Sequence, residues 1–584
     1  MDEQKPSTFY VATAIPYVNA KPHIGNAMDY MLADVLARYY TQQDIPVFFG
    51  VGSDEHGNKI AAKAAEAGLT PQQYTDQMVP AFHDMLNRLN ISYTDFIRTS
   101  EARHETASQY IWQKLQPYIY KGTYEGWYCV GCESFVTAKQ ATENNGVCPD
   151  HKQPYVQLSE ENYYFRLSAF TEHVKQAIES DTLKIQPTFR KKEILNLLNH
   201  GLEDISISRP RKNLSWGIPV PNDPNHVMYV WFEALINYVS ILGYPDGPLF
   251  ARLWPANVQV IGKDILRFHA AIWPAMLIGL GLPLPKKLLV HGFVNVGGAK
   301  MSKTVGNVVD PIQIADEYGV DAFRYFFLRH IPTLDDGDFT WEKFETAYNT
   351  ELGNELGNLV QRVASMVVRY QNGMITQIAP AVHDTAQYQA AMTELRLNDA
   401  FDAVWDQVRQ LNVYLEEVKP WALAKAGEKE ASHLNEVLAY AAGSLVHIAD
   451  LLLPFLPDTA ESIRRTFTAD VITTGDVLFP KIYKHTPDPK LTHKTPAATA
   501  SRAASAQAAA QAAQPAAPAP APHNPAPTAA PEPVQLPPPP PGVIQPAPSQ
   551  PLTPVGPAQP PAAPAATPPA APQPSAAPPA EPQR

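Results

Sequence analysis

Cysteine is scarce: the 584 residues hold three, all within one window of twenty. Three thiols cannot build the framework of a disulfide-stabilised secreted domain, so their clustering needs another explanation. Long apolar runs are also lacking. The most apolar stretches, such as AAIWPAMLIGLGLPLP, are broken by proline before they reach membrane-spanning length. The opening MDEQKPSTFY lacks the basic stretch and apolar core of a secretory leader, so the expectation is a cytoplasmic protein with no membrane partner. A basic excess is missing too. The formal net charge of −12 and pI near 5.8 exclude a general nucleic-acid coat and leave room only for a local basic strip. From residue 491 onward there is no Phe, Trp or Tyr, while 29 of the 58 prolines fall there amid alanine. Such a segment cannot bury a core. A disordered Pro/Ala-rich tail is expected over 488–584, populating polyproline II; PPPPPGVIQP (537–546) has the chemistry to dock in an aromatic groove, but composition selects no partner.

What is present exceeds a single hydrophobic core, so several domains are expected. The stretch TFYVATAI reads as a strand. A helix follows, with Met28, Met31, Leu32, Val35, Leu36 and Tyr39 at helical spacing, and then the strand PVFFGVG completes a βαβ unit. After about residue 205 a second set begins, with HVMYVWFEALINYVSIL, the strand NVQVIG, a helix from about 264 and the strand KLLVHGFVNV. The spacing therefore predicts an α/β parallel-sheet domain in two halves, 1–117 and 206–345, split by an insert over 118–205. From 346 to 487 strand patterns give way to helical periodicity, as in YNTELGNELGNLVQRVASMVVRY, which predicts an all-α bundle.

The insert carries Cys129, Cys132, Cys148 and His151 in a C-x2-C-x15-C-x2-H arrangement within 124–156. Two close pairs of soft ligands separated by a loop suit one structural, four-coordinate Zn2+, with Asp150 as an alternative fourth ligand to His151. Further on, GGAKMSKTVGN places Lys300 and Lys303 in a glycine-bounded loop that lacks the spacing of a P-loop. By itself it reads as a solvated turn. In the first strand–helix turn, Pro22-His23-Ile24-Gly25-Asn26 combines unpaired helix N–H groups, a glycine for close approach and two side-chain donors, which suits an anion. His23 reads equally well as a helix cap.

Together, HIGN and KMSKT resemble the paired HIGH and KMSKS signatures of the class I aminoacyl-tRNA synthetases. GVGSDEHGNKI, MYVWFEALINY, VIGKDI, LVHGF, the single zinc knuckle, and ELGNLVQR followed by VKPWALAK resemble the methionyl-tRNA synthetase family, in its order, over residues 7 to 487. Asn26 replaces the second signature histidine, and Thr304 the final serine. The resemblance implies a Rossmann-type catalytic domain, a helical anticodon-binding domain, and ATP with Mg2+, L-methionine and tRNA(Met) as substrates and partners. It implies catalytic roles for His23, Asn26, Lys300 and Lys303, and ATP contacts that also include Gly25, Gly262 and Asp264. It implies that Asp54 takes the methionine ammonium group, with Ile15, Tyr17, Trp231, Ala234, Leu235, Tyr238 and His291 around the side chain. Asn358, Arg362 and Trp421 match the residues that read the anticodon. Without the resemblance, the Trp231–Leu235–Tyr238 stripe reads as core, Asp54 as a cap or turn residue, and Trp421 as packing. The interval 118–205 is too short for the editing insert of the leucine and valine enzymes. A cysteine enzyme would place its metal in the substrate site, and a catalytically silent tRNA-binding relative is the rival outside enzymology.

Overall fold

The computed structural model describes residues 7–130, 134–136, 138–149, 152–301, 306–375 and 384–486. The Pro/Ala-rich segment from 487 onward lies outside them. Six strands form one parallel sheet: β1 (Phe9–Thr13), β2 (Val47–Ser53), β3 (Asp95–Arg98), β4 (Lys184–Gln186), β5 (Val258–Gly262) and β6 (Lys287–His291). Their order is β3-β2-β1-β5-β6-β4, with Val11 paired to Val258 on one side and to Phe49 on the other. Both faces are covered, which is why β1 reads as an unbroken apolar run. Phe9, Val11, Phe49, Val51, Val258 and Val260 enter one core, and Tyr10, Ala12, Phe48, Ile261 and Leu288 the other.

The interval 118–205 leaves the sheet and then returns to it. Ile119–Cys129 pairs antiparallel with Val156–Phe165 in a four-stranded sheet with Ser134–Val136 and Ile205–Ser206. Lys184–Gln186 then rejoins the parallel sheet beside β6. The expected single strand KLLVHGFVNV is two. A Cβ on Gly292 would lie 2.0 Å from the Asp335 carbonyl oxygen, so the backbone of another loop crosses there and ends β6. Val294–Val296 then joins a separate three-stranded sheet with Ala299–Lys300 and Gly337–Phe339.

From 346 to 486 the described residues hold helices and no strand. A fully buried ion pair ties this region to the first helix, α1 (Ile24–Thr41): Arg324 Nη2 lies 2.6 Å from Asp34 Oδ2, and Arg324 Nε donates to the Phe455 carbonyl at 2.7 Å. Burial opposes charge on Asp34, but Arg324, Arg38 and Ser92 hold its pKa below the ordinary value.

Nearby, Asp321 accepts from the Thr459 N–H at 2.6 Å, capping the helix Pro457–Phe467. Burial raises its pKa to about 6; Asp458 adds to this, and Thr459 and Arg324 oppose it. The protonated form is the stable one in the fold, so this contribution is complete below the ordinary carboxyl pKa and is lost as pH rises through about 6. Asp321→Asn keeps the acceptor without the charge. It stabilises the chain at pH 8 by on the order of 2 kcal/mol and leaves it nearly unchanged at pH 4, measured by urea unfolding at each pH.

Candidate active site

The order of the parallel sheet reverses between β1 and β5, and the crevice beyond the carboxyl ends of the strands at such a point is where open α/β sheets bind ligands. Ile15, Tyr17 and His23 follow β1, Asp54 follows β2, Gly262 and Asp264 close β5, and His291 ends β6.

His23 is the N-cap of α1. Its Nδ1 accepts the Gly25 N–H at 3.1 Å, and the His23 N–H donates to Asn26 Oδ1 at 3.1 Å, a reciprocal capping box. With Nδ1 accepting, the neutral ring carries its proton on Nε2, and with Oδ1 accepting, Asn26 presents its NH2 as donor. Cap and anion donor are thus two ends of the same side chains. Gly25 has no room for a side chain: a Cβ there would lie 2.9 Å from His23 Cε1 and 3.3 Å from Met301 Cε. The second distance brings the two-lysine loop against this turn, and the Ile24 N–H donates to the Val309 carbonyl at 3.3 Å just beyond the loop.

Lys300 lies in the short strand Ala299–Lys300, with Nζ 4.8 Å from the centre of the Phe293 ring, against which Lys263 Nζ also packs at 4.5 Å. Lys303 and Thr304 lie outside the described residues. Asp264 is exposed as a residue, but loss of water around its carboxyl raises its pKa; the charge of Asp29 adds to this, while its own backbone N–H, Lys300 and His291 oppose it. Sequence reasoning missed Asp29, whose carboxylate is 2.6 Å from His291 Nε2. The other ring nitrogen of His291 faces the Gly292 carbonyl at 2.8 Å. Burial opposes charge on this ring, but Asp29 and the Gly292 carbonyl raise its pKa above the ordinary value. With both nitrogens engaged, His291 offers the cleft its carbon edge.

Of the residues expected around the methionine side chain, Trp231, Ala234, Leu235 and Tyr238 lie on or next to the helical turns Val230–Ala234 and Asn237–Ser240. Trp231 stacks on Phe268 at 4.0 Å and meets Tyr17 edge-on at 6.5 Å; Ala234, Leu235 and Tyr238 are buried beneath. His269 Nδ1 donates to the Ile265 carbonyl at 3.0 Å, and burial lowers the ring's pKa to about 4, so Nε2 is a bare acceptor for the Tyr238 hydroxyl at 2.8 Å. That hydroxyl therefore turns an oxygen lone pair, not a proton, away from His269. Asp54 is buried and bridged to Tyr17: its N–H donates to the Pro16 carbonyl at 2.9 Å, and its carbonyl accepts the Val18 N–H at 3.2 Å.

Of the expected zinc ligands, Cys129 and Cys148 are buried together in a small cluster with Ala141 and Tyr155. Cys132 and His151 lie outside the described residues. In the helical region Asn358 and Arg362 line one pocket of about 360 Å³ with Asn354, Gln361, Ser365 and Asn412. Arg362 Nη1 is 2.6 Å from Glu416 Oε1, and its Nε is buried with no hydrogen-bond partner among the described residues. Trp421 is the second residue of the helix Pro420–Ala426, half-buried against the core and outside that pocket's lining.

A family model described as tRNA synthetases class I (M) matches residues 9–157 and 150–364. The Methionine--tRNA ligase of Caldanaerobacter subterraneus subsp. tengcongensis is 41% identical over 508 residues, 81% of this chain and 79% of the relative. That of Streptomyces coelicolor is 38% identical over 528 residues, 82% of this chain and 98% of the relative. Among solved structures, Mycobacterium tuberculosis methionyl-tRNA synthetase in complex with methionyl-adenylate superposes with a TM-score of 0.75 at 35% identity, covering 81% of this chain and 99% of that one. Its apo form gives 0.71 at 32%, covering 82% and 98%. With the sheet, the cleft and these matches in agreement, the chain belongs to the methionine branch of the class I tRNA synthetases.

Proposed function

We infer that the chain is a methionine–tRNA ligase working in the cytoplasm. It activates L-methionine with ATP, taken as its magnesium complex, to methionyl-adenylate and pyrophosphate, and then transfers methionine to the 3′ end of tRNA(Met) for initiation and elongation. One observation carries the chemical reading: Met301 of the two-lysine loop sits beside Gly25 of the HIGN turn, at the carboxyl ends of the sheet.

In activation a carboxylate oxygen of methionine attacks the α-phosphorus, the bond to the bridging oxygen breaks, and pyrophosphate departs. Charge builds on the phosphoryl oxygens, so positioned donors and cations are what the reaction needs from the protein. The α1 N-terminus, His23 Nε2–H and the Asn26 amide supply fixed donors; Lys300 and Lys303 supply charge from a loop that engages the departing pyrophosphate. Gly262 and Asp264 face the ribose. Asp54 takes the ammonium group, and Ile15, Tyr17, Trp231, Ala234, Leu235, Tyr238 and His291 enclose the thioether chain. In the second step the terminal ribose hydroxyl of the tRNA attacks the adenylate carbonyl and AMP leaves. Asn358, Arg362 and Trp421 read the anticodon, the first two by hydrogen bonds to base edges and the last by stacking.

The thiols of Cys129 and Cys148, buried in one small cluster, fit a structural zinc completed by Cys132 and His151, which would hold the knuckle together and supply no open coordination position. Purified chain is expected to carry one zinc, and Cys148→Ser to lose it and to be cleaved earlier by protease within 124–156. Full zinc content in that variant contradicts the ligand set.

The function is tested by amino-acid-dependent exchange of pyrophosphate into ATP across a panel of amino acids. Exchange with methionine is expected well above exchange with leucine, valine or cysteine; none with any amino acid would leave a tRNA-binding protein without activation.

A further inference from the structure

A fully buried carboxylate beside the methionine pocket takes no part in the chemistry above. Glu233 is 0% exposed on the turn Val230–Ala234, between Trp231 and Ala234. Each of its oxygens meets a different histidine: Oε1 is 2.9 Å from His56 Nδ1, and Oε2 is 2.7 Å from His104 Nε2. His56 lies two residues after Asp54 in the loop that follows β2, with its ring edge-on to Trp216 at 5.1 Å. His104 belongs to the helix Ala102–Lys114, and its other nitrogen is 2.9 Å from Ser240 Oγ. Burial opposes charge on Glu233, but the two histidines hold its pKa below the ordinary value.

A buried polar cluster of this kind is a poor source of stability, because apolar residues of equal volume often do as well. What it supplies here is geometry. Between Asp54 and His56, Glu55 accepts from Arg98 at 2.7 and 2.8 Å and from Ser53 and Ser100 at 2.6 Å each. The two residues that follow Asp54 are both anchored, and it is the His56 anchor that reaches the turn carrying Trp231, Ala234 and Leu235.

We propose that Glu233 is a positioning residue for methionine: through His56 it fixes the Asp54 carboxylate, which takes the ammonium group, relative to the Trp231–Leu235 wall, which takes the side chain. This rests on the assignment of that pocket to methionine. Glu233→Gln keeps the volume but puts an NH2 where one histidine needs an acceptor. The methionine KM in pyrophosphate exchange rises about 10-fold or more, as expected for one unsatisfied buried group, while the ATP KM stays within about 2-fold. Combined with Asp54→Asn, the loss in kcat/KM is smaller than the product of the single losses, because Glu233 acts through Asp54.

Multiplicative losses, or equal rises in both KM values, overturn the proposal and leave Glu233 with a purely structural role. If Glu233→Gln does not fold, two changes at His56 decide. His56→Asn places an amide N–H where Nδ1–H stood and keeps the methionine KM near that of the unaltered chain, whereas His56→Ala raises it. Equal rises in both contradict the anchor. Absence of methionine-dependent exchange in the unaltered chain removes the pocket assignment and the proposal with it.

Discussion

His23→Asn slows methionine activation by about 10²–10³-fold, the loss that follows removal of a preorganised donor to a developing anion, and leaves thermal stability nearly unchanged. The reason lies in the two nitrogens of the ring. Nδ1 accepts the Gly25 N–H and caps α1, a task that asparagine performs well from the N-cap position. Nε2 points its proton the other way, and asparagine is too short to replace it. His23→Ala loses both ends: it shows the same kinetic defect and also about 1 kcal/mol of stability. Stopped-flow or quench-flow measurement of adenylate formation, paired with thermal unfolding, separates the two roles. Parallel losses of rate and stability in both variants would reduce His23 to a helix cap.

Trp421→Ala and Arg362→Ala each lower kcat/KM for tRNA charging by about 10- to 100-fold, the range expected for the loss of one stacked or edge-bonded base, and leave pyrophosphate exchange near that of the unaltered chain. Arg362 is already oriented by Glu416 and, at 3.4 Å, by Asn412, so a base edge meets a guanidinium whose direction is set beforehand. Trp421 is half-buried, with its helix started by Pro420, and an indole fixed in this way costs little entropy to stack upon. Charging of a tRNA with an altered anticodon should fall in the unaltered chain and fall little further in these variants. A matching drop in exchange would place the defect in the fold instead.

The sheet was legible where the sequence alone specifies burial. FYVAT, VFFGVGS and VQVIG are mostly apolar because both faces are covered, and α1 shows its helical period plainly. The strand Lys184–Gln186 was not legible, since three residues at a sheet edge carry no pattern and earn their place only by pairing with β6. The break at Gly292 was hidden for a related reason: the loop that crosses there belongs to Asp335, more than forty residues on. At the site, the signatures pointed to His23, Asn26 and the lysine loop, but the groups that orient the cleft are dispersed. Asp29 sits on the face of α1 toward His291, His269 holds Tyr238 from a neighbouring turn, and Glu233 gathers His56 and His104 from positions far apart in the chain. Each is an ordinary polar residue until the fold closes, so no spacing rule selects it.

The mechanism turns on when the lysine loop acts. Lys300 packs against Phe293 with its charge felt at Asp264. Single-turnover adenylate formation by Lys300→Ala and Lys303→Ala, with methionine Kd measured in parallel, tests this directly. The expected result is a rate constant lowered about 10²-fold or more with methionine Kd unchanged within about 2-fold, because the cations stabilise charge that appears only as pyrophosphate leaves. Equal losses in rate constant and in methionine affinity would show that the loop serves ground-state binding and would contradict the mechanism.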